Sequence, residues 1–421
     1  MTHFLRSLTL LIATLALAGC GTVVVVPEDI HGTIVDITNA PWPGRQVLVG
    51  DTLTTTDEAG HFTVHDVLPP YDLALAFNTP VITRGDVYVG MTDPAPTVVS
   101  WALAPASLVN GGSMTVTVVL PEADTSTVVG WVAFEATDNL AGILAEPVTT
   151  VTTATGPVRT FTVSWRDLPS VGVRIHAFQT QVDPATSAPV HYLGYDTTDL
   201  VLADHGNVTW TASYEPPPFS ESPLSLAVSL PEGYAISHTW LVMRATTQFD
   251  TVGLMGSGAA GPGVSLVVPD LPGAPFSIEV AQGEEYGSSR VYVPALPAGP
   301  QPLALQMEPN PTILSPSEGA TIGVGSTITW TPGGPGASFT TLTPEATNGL
   351  TIFLWGGEDG SVTVPDLSAL GLPLPHGVVC SVSVSRDSRA TTVEDFASGD
   401  LSSQGKPYTT GFSGTAVFTA P

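Results

Sequence analysis

Glycine and proline recur so often along this chain that a long helix has almost nowhere to form. The 421 residues include 42 glycines and 39 prolines, and each one in a helix interior costs roughly 1 to 3 kcal/mol. Valine and threonine fill the intervals, and their branched side chains suit strands. Phe161, Val163 and Trp165 alternate with Thr160, Thr162 and Ser164, the period of a strand with one face in a core. The expectation is an all-β chain of tandem β-sandwiches, punctuated by turns roughly every 8–12 residues.

The N-terminus follows a different rule. Arg6 is its only charge, Leu8 to Ala18 is apolar, and small residues precede Cys20, which are the three parts of an export leader. Its apolar core is shorter than the roughly 20 residues a membrane span needs. Leu17-Ala18-Gly19-Cys20 resembles the lipobox of bacterial lipoproteins. That resemblance implies cleavage after residue 19, lipid on the Cys20 sulfur, and acylation of its new amine. Gly21 in place of aspartate then points to the outer membrane. Residues 20–27 form a tether that reaches at most about 35 Å, so the first domain is expected near the lipid.

Charge and cysteine content narrow the partners. Charged residues make up only 12% of the chain, with 38 acids against 11 basic residues, of which Lys406 is the one lysine. Such a chain repels phosphate backbones, so nucleic acid is not an expected partner. If Cys20 carries lipid, Cys380 has no disulfide partner. Cys380, Val382 and Val384 share one face of an alternating stretch, which points the thiol into a core as a small hydrophobe.

Four segments follow the tether. Residues 28–104 contain Gly32-Thr33-Ile34-Val35-Asp36, Pro43-Gly44-Arg45-Gln46-Val47, Thr55-Thr56-Asp57-Glu58-Ala59-Gly60-His61-Phe62 and Leu68-Pro69-Pro70-Tyr71-Asp72-Leu73. These motifs resemble the carboxypeptidase regulatory-like domain, which implies a transthyretin-like β-sandwich with an accessory role and no catalytic residue. Residues 105–309 repeat internally. Leu120-Pro121-Glu122 recurs as Leu230-Pro231-Glu232, Trp131 as Trp240, Asp167-Leu168-Pro169 as Asp270-Leu271-Pro272, and Tyr214-Glu215-Pro216 as Met307-Glu308-Pro309. The repeat divides this stretch into sandwiches at 105–216 and 217–309, of the size expected for immunoglobulin or fibronectin type. Residues 310–421 open with Pro311-Thr312-Ile313-Leu314-Ser315-Pro316, similar to immunoglobulin-like modules of bacterial surface proteins. There, Val364-Pro365-Asp366-Leu367 repeats Val268-Pro269-Asp270-Leu271.

A search for reactive constellations yields few candidates. No nucleophile elbow, zinc-binding helix, phosphate loop or paired Cys-x-x-Cys occurs in the sequence. Ser403-Gln404-Gly405-Lys406 matches Ser-x-x-Lys in form, but Gly405 and Pro407 make it a loop. His61 and His65, with Asp57 and Asp66 nearby, lie about 13 Å apart on a strand, too far for one ion. Asp196 with Asp199, and Glu284 with Glu285, read as solubilising turns. Trp42 between two prolines either caps its own sandwich or offers a ring to a sugar. His176 and His191 are the pair a hydrolase would need to bring together with acids. The expectation is therefore a non-enzymatic, lipid-anchored envelope protein without cofactor or metal, presenting loops to a glycan or an envelope protein. A carbohydrate-binding accessory and a hydrolase with an unrecognised site are the alternatives.

Overall fold

The structure is a computed structural model. It describes residues 26–36, 39–78, 83–100, 112–122, 124–136, 148–165, 170–184, 189–214, 220–244, 251–258, 263–269, 276–282, 288–294, 296, 301–345, 350–356, 360–399, 401 and 407–420. Each of the four segments contributes seven strands among these residues. The first has β1 (Glu28–Val35), β2 (Gln46–Val49), β3 (Thr52–Thr55), β4 (His61–Val67), β5 (Tyr71–Asn78), β6 (Thr83–Met91) and β7 (Thr97–Val99). The second has β8 (Gly112–Val119), β9 (Val128–Ala136), β10 (Val148–Thr155), β11 (Val158–Trp165), β12 (Ser170–Val182), β13 (Pro189–Ala203) and β14 (Asn207–Thr211). The third has β15 (Glu221–Ser229), β16 (Ile236–Arg244), β17 (Thr251–Gly258), β18 (Gly263–Pro269), β19 (Phe276–Gln282), β20 (Ser289–Val293) and β21 (Gln301–Gln306). The fourth has β22 (Thr312–Ser315), β23 (Thr327–Thr331), β24 (Ala337–Pro344), β25 (Leu350–Trp355), β26 (Ser361–Thr363), β27 (Val379–Asp387), a short helix α1 (Val393–Ser398) and β28 (Tyr408–Thr419). The all-β, tandem-sandwich expectation holds.

Lettering the strands of each segment a to g exposes a relation that the residue repeats only partly show. In segments one, two and three, strand a lies between antiparallel d and parallel g. Strands b, e and f form the facing sheet. Strand c joins b in segments one and three but crosses to d in segment two. The residue markers within 105–309 sit at matching places: Leu120 and Leu230 each follow strand a, and Trp131 and Trp240 lie in strand b. Segment four is ordered differently, with a-b-e facing d-c-f-g. Its Val364-Pro365-Asp366-Leu367 follows strand e, whereas Val268 and Pro269 end strand d.

Four separate beads would close four separate cores, and the sheets do not run that way. One sheet of 12 strands passes through three segments in the order β17-β16-β19-β20-β28-β27-β24-β25-β6-β5-β2-β3. Segment four sits in its middle. Strand β28 pairs antiparallel with β20, and β25 pairs in parallel with β6. Two cores cross the second seam. One joins Trp42, Phe62, Val64, Tyr71 and Phe77 to Trp355, Val393 and Phe396. The other joins Leu48, Ala74 and Val87 to Trp330, Val382 and Phe418. Segment two packs onto segment three through Ala133, Phe178 and Tyr192.

Candidate functional site

The sequence candidates described by the structure are each held by local bonds. His61, Thr63 and His65 face outward from β4 while Phe62 and Val64 are buried. His65 Nδ1 lies 2.9 Å from Asp29, and His61 Nδ1 lies 3.8 Å from Asp57. Asp57 closes its own turn, accepting from the N–H groups of Ala59 at 2.9 Å and His61 at 2.8 Å. The His61 amide above all holds its carboxyl below the usual range. Asp66 takes a left-handed φ of 57° at the end of β4.

His176 and His191 do not converge. They stand opposite Thr197 and Gln181 in the β12–β13 register, five positions or about 16 Å apart. His176 is buried, with Nδ1 2.9 Å from the Tyr195 hydroxyl. His191 instead lies 3.1 Å from Glu221 in segment three, and Glu221 also accepts from the Tyr192 N–H at 2.6 Å. Asp199 is gripped by Arg174 at 2.7 and 3.1 Å, and Asp196 accepts from the Ser213 N–H at 2.7 Å. Cys380 is fully buried, and burial pushes its thiol up to about 11, the opposite of a nucleophile's setting. Trp42 does not offer its ring to solvent. It is 4% exposed, packs edge-on against Phe77 at 5.4 Å, and carries the Arg45 guanidinium at 4.6 Å. Cys20, Glu284, Glu285, Ser403 and Lys406 lie outside the described residues.

What does gather is at the seams of the long sheet. Between segments one and four, the Asp86 carboxylate is 1% exposed and receives two guanidinium bonds from Arg84, at 2.9 and 2.7 Å. Trp355 Nε1 donates to it across the seam at 3.0 Å. A buried charge persists only when its lone pairs are met, and here both segments meet them. Between segments three and four, a cleft of about 380 Å³ is lined by Arg290, Tyr292, Phe339, Ser385, Thr410 and Phe412, within the size range of small-molecule sites. Its charges are tied to one another: Arg290 to Glu279 at 2.9 Å, and the neighbouring Asp387 to Arg389 at 2.6 to 3.1 Å. Tyr292 stacks on Tyr408 at 4.8 Å, and Arg389 lies 4.4 Å over Tyr408. Paired charges and aromatic faces suit holding and packing.

A second groove, about 720 Å³, runs between segments one and four, with Asp51, His65, Asp66, Asp72 and Asp366 among its lining. Burial raises the Asp72 pKa, opposed by the Gly90 N–H. Among the described residues no three histidine, cysteine or acidic side chains gather closely enough to hold a metal ion. Sequence reasoning missed both seams. The available signal was the scarcity of arginine: ten among the eleven basic residues, with three of them, Arg290, Arg386 and Arg389, at one junction.

No protein family matches the chain, and no curated protein matches it either. Among solved structures, the chain is similar to the major pilin subunit of Bacillus cereus, with 9% identity over 66% of this chain and 99% of that one, at a TM-score of 0.16. It is similar to the Bacillus anthracis TIE protein at 12% identity, covering 67% of this chain and 50% of that one, with a TM-score of 0.16. A streptococcal ancillary pilin shares 13% identity over 67% of this chain and all of that one, with a TM-score of 0.15.

Proposed function

We propose that this chain is a lipid-anchored, non-enzymatic scaffold of the bacterial cell envelope, held at the outer membrane through Cys20. The observation that carries the scaffold reading is the 12-stranded sheet, which fastens segments one, four and three into one continuous body. The ionisable side chains examined as catalytic candidates are engaged in turns, ion pairs and packing. The anchor reading rests on the apolar leader ending in Leu17-Ala18-Gly19-Cys20, since several acyl chains hold a protein durably where one does not. Its test is fractionation of cells expressing the full chain with radiolabelled palmitate. The wild type should carry label and sediment with membranes, and Cys20→Ser should lose the label and accumulate as precursor. An unlabelled wild type would refute the anchor.

A further inference from the structure

Strand f ends its sheet within each of segments one, two and three. Two of these edges are filled from segment four: β6 receives β25 and β20 receives β28. The third, β13, has no strand beyond it among the described residues. At 15 residues it is long for an edge strand, which proteins usually keep short or break with charge and proline. Its two acids are already compensated, Asp199 by Arg174 and Asp196 by the Ser213 N–H. Its outward residues include Leu193, 42% exposed, and Val201, 73% exposed.

We propose that the free edge of β13 takes up β13 of a second copy of this chain, antiparallel about a twofold axis at Thr197. A closed twofold pair needs a self-complementary strand, and β13 is one. In this register Leu193 stands opposite the partner's Val201, twice by symmetry, and Thr197 opposite its own counterpart. Asp196 faces the partner's Thr198 and Asp199 faces the partner's Tyr195, so no like charges meet. Such cross-strand pairs are the unit of sheet stabilisation. The odd-numbered residues from His191 to Ala203 lie on the more exposed face, so these contacts do not disturb the core. The formal charge of −27 opposes association, which should tighten as salt screens it.

The test is sedimentation equilibrium of the full chain in density-matched detergent, over a concentration and salt series. The wild type should dimerise. Joining Leu193→Lys to Val201→Lys sets lysine against lysine twice and should weaken the dimer roughly tenfold or more. Joining Leu193→Lys to Val201→Glu sets opposite charges together at the same positions and should restore it. Thr197→Cys should form a disulfide with itself, since directly opposed residues lie about 4.5–5.5 Å apart, identified by mass spectrometry of the linked peptide. A wild type that stays monomeric, a dimer unmoved by the lysine pair, or no Thr197→Cys link overturns the proposal.

Discussion

A guanidinium cut off from water must find acceptors in the protein, and Arg386 shows how this chain arranges that. It is 1% exposed, and burial lowers its pKa. Its Nη1 donates to the Pro335 carbonyl at 2.7 Å and the Thr409 hydroxyl at 3.0 Å. Gly411 leaves it room: a Cβ there would lie 2.9 Å from Pro311 and 3.3 Å from Arg386 Nη2. Arg386→Ala is expected to cost about 2–4 kcal/mol by orphaning those acceptors and opening a cavity, measured by denaturant unfolding. Cys380 makes a pH prediction. Its folded pKa is raised from 9.0 to about 11, so the native state holds the proton more tightly. That contribution is intact below about 9 and is lost as pH rises toward about 11. Stability should fall over that window, less steeply in Cys380→Ala, as read from unfolding midpoints at successive pH values.

At the level of elements, α1 is six residues long, too short to persist alone. Thr392 and Asp395 cap its start reciprocally, and Val393, Phe396 and Ala397 enter the core of segment one. Glu394 fastens it further, accepting from the Thr92 N–H at 2.9 Å and hydroxyl at 3.1 Å. Burial alone would raise the Glu394 pKa, but the Thr92 bonds outweigh it and the net shift is downward. The docking contribution is therefore present above the usual carboxylate range and lost as pH falls through the folded value. Amide spectra of α1 should show undocking below about pH 4, with a weaker dependence in Glu394→Gln. Much of the strand content was legible because one face of each strand was polar, as in β4, and in β27 with Cys380 facing inward. Strand β6 was not, since partners from both segments cover it and Arg84 and Asp86 interrupt its apolar run. Its partner β25 lies some 260 residues later, and no local pattern records a pairing that distant. The seam residues were hidden for the same reason, since Asp86 meets Trp355 only after the chain has folded back.

On the scale of the molecule, the last segment in sequence occupies the centre of the long sheet. Deleting 310–421 would remove Trp355, Val393 and Phe396 from the first segment's core, at roughly 1.5–3 kcal/mol for each large side chain. The truncated chain should lose protection throughout 28–104, measured by hydrogen exchange, while segment two keeps its own core of Val116, Phe161 and Val173. Trp355→Phe keeps the ring but loses the bond to Asp86, and should cost about 1.5–3 kcal/mol by the same unfolding assay. Translation adds a clock to this arrangement. Strand β6 ends at Met91, 330 residues before the chain does, which a ribosome covers on the order of tens of seconds. During that interval the first and third segments wait with bare edges, and the newborn chain needs a minder until its final stretch arrives to close them.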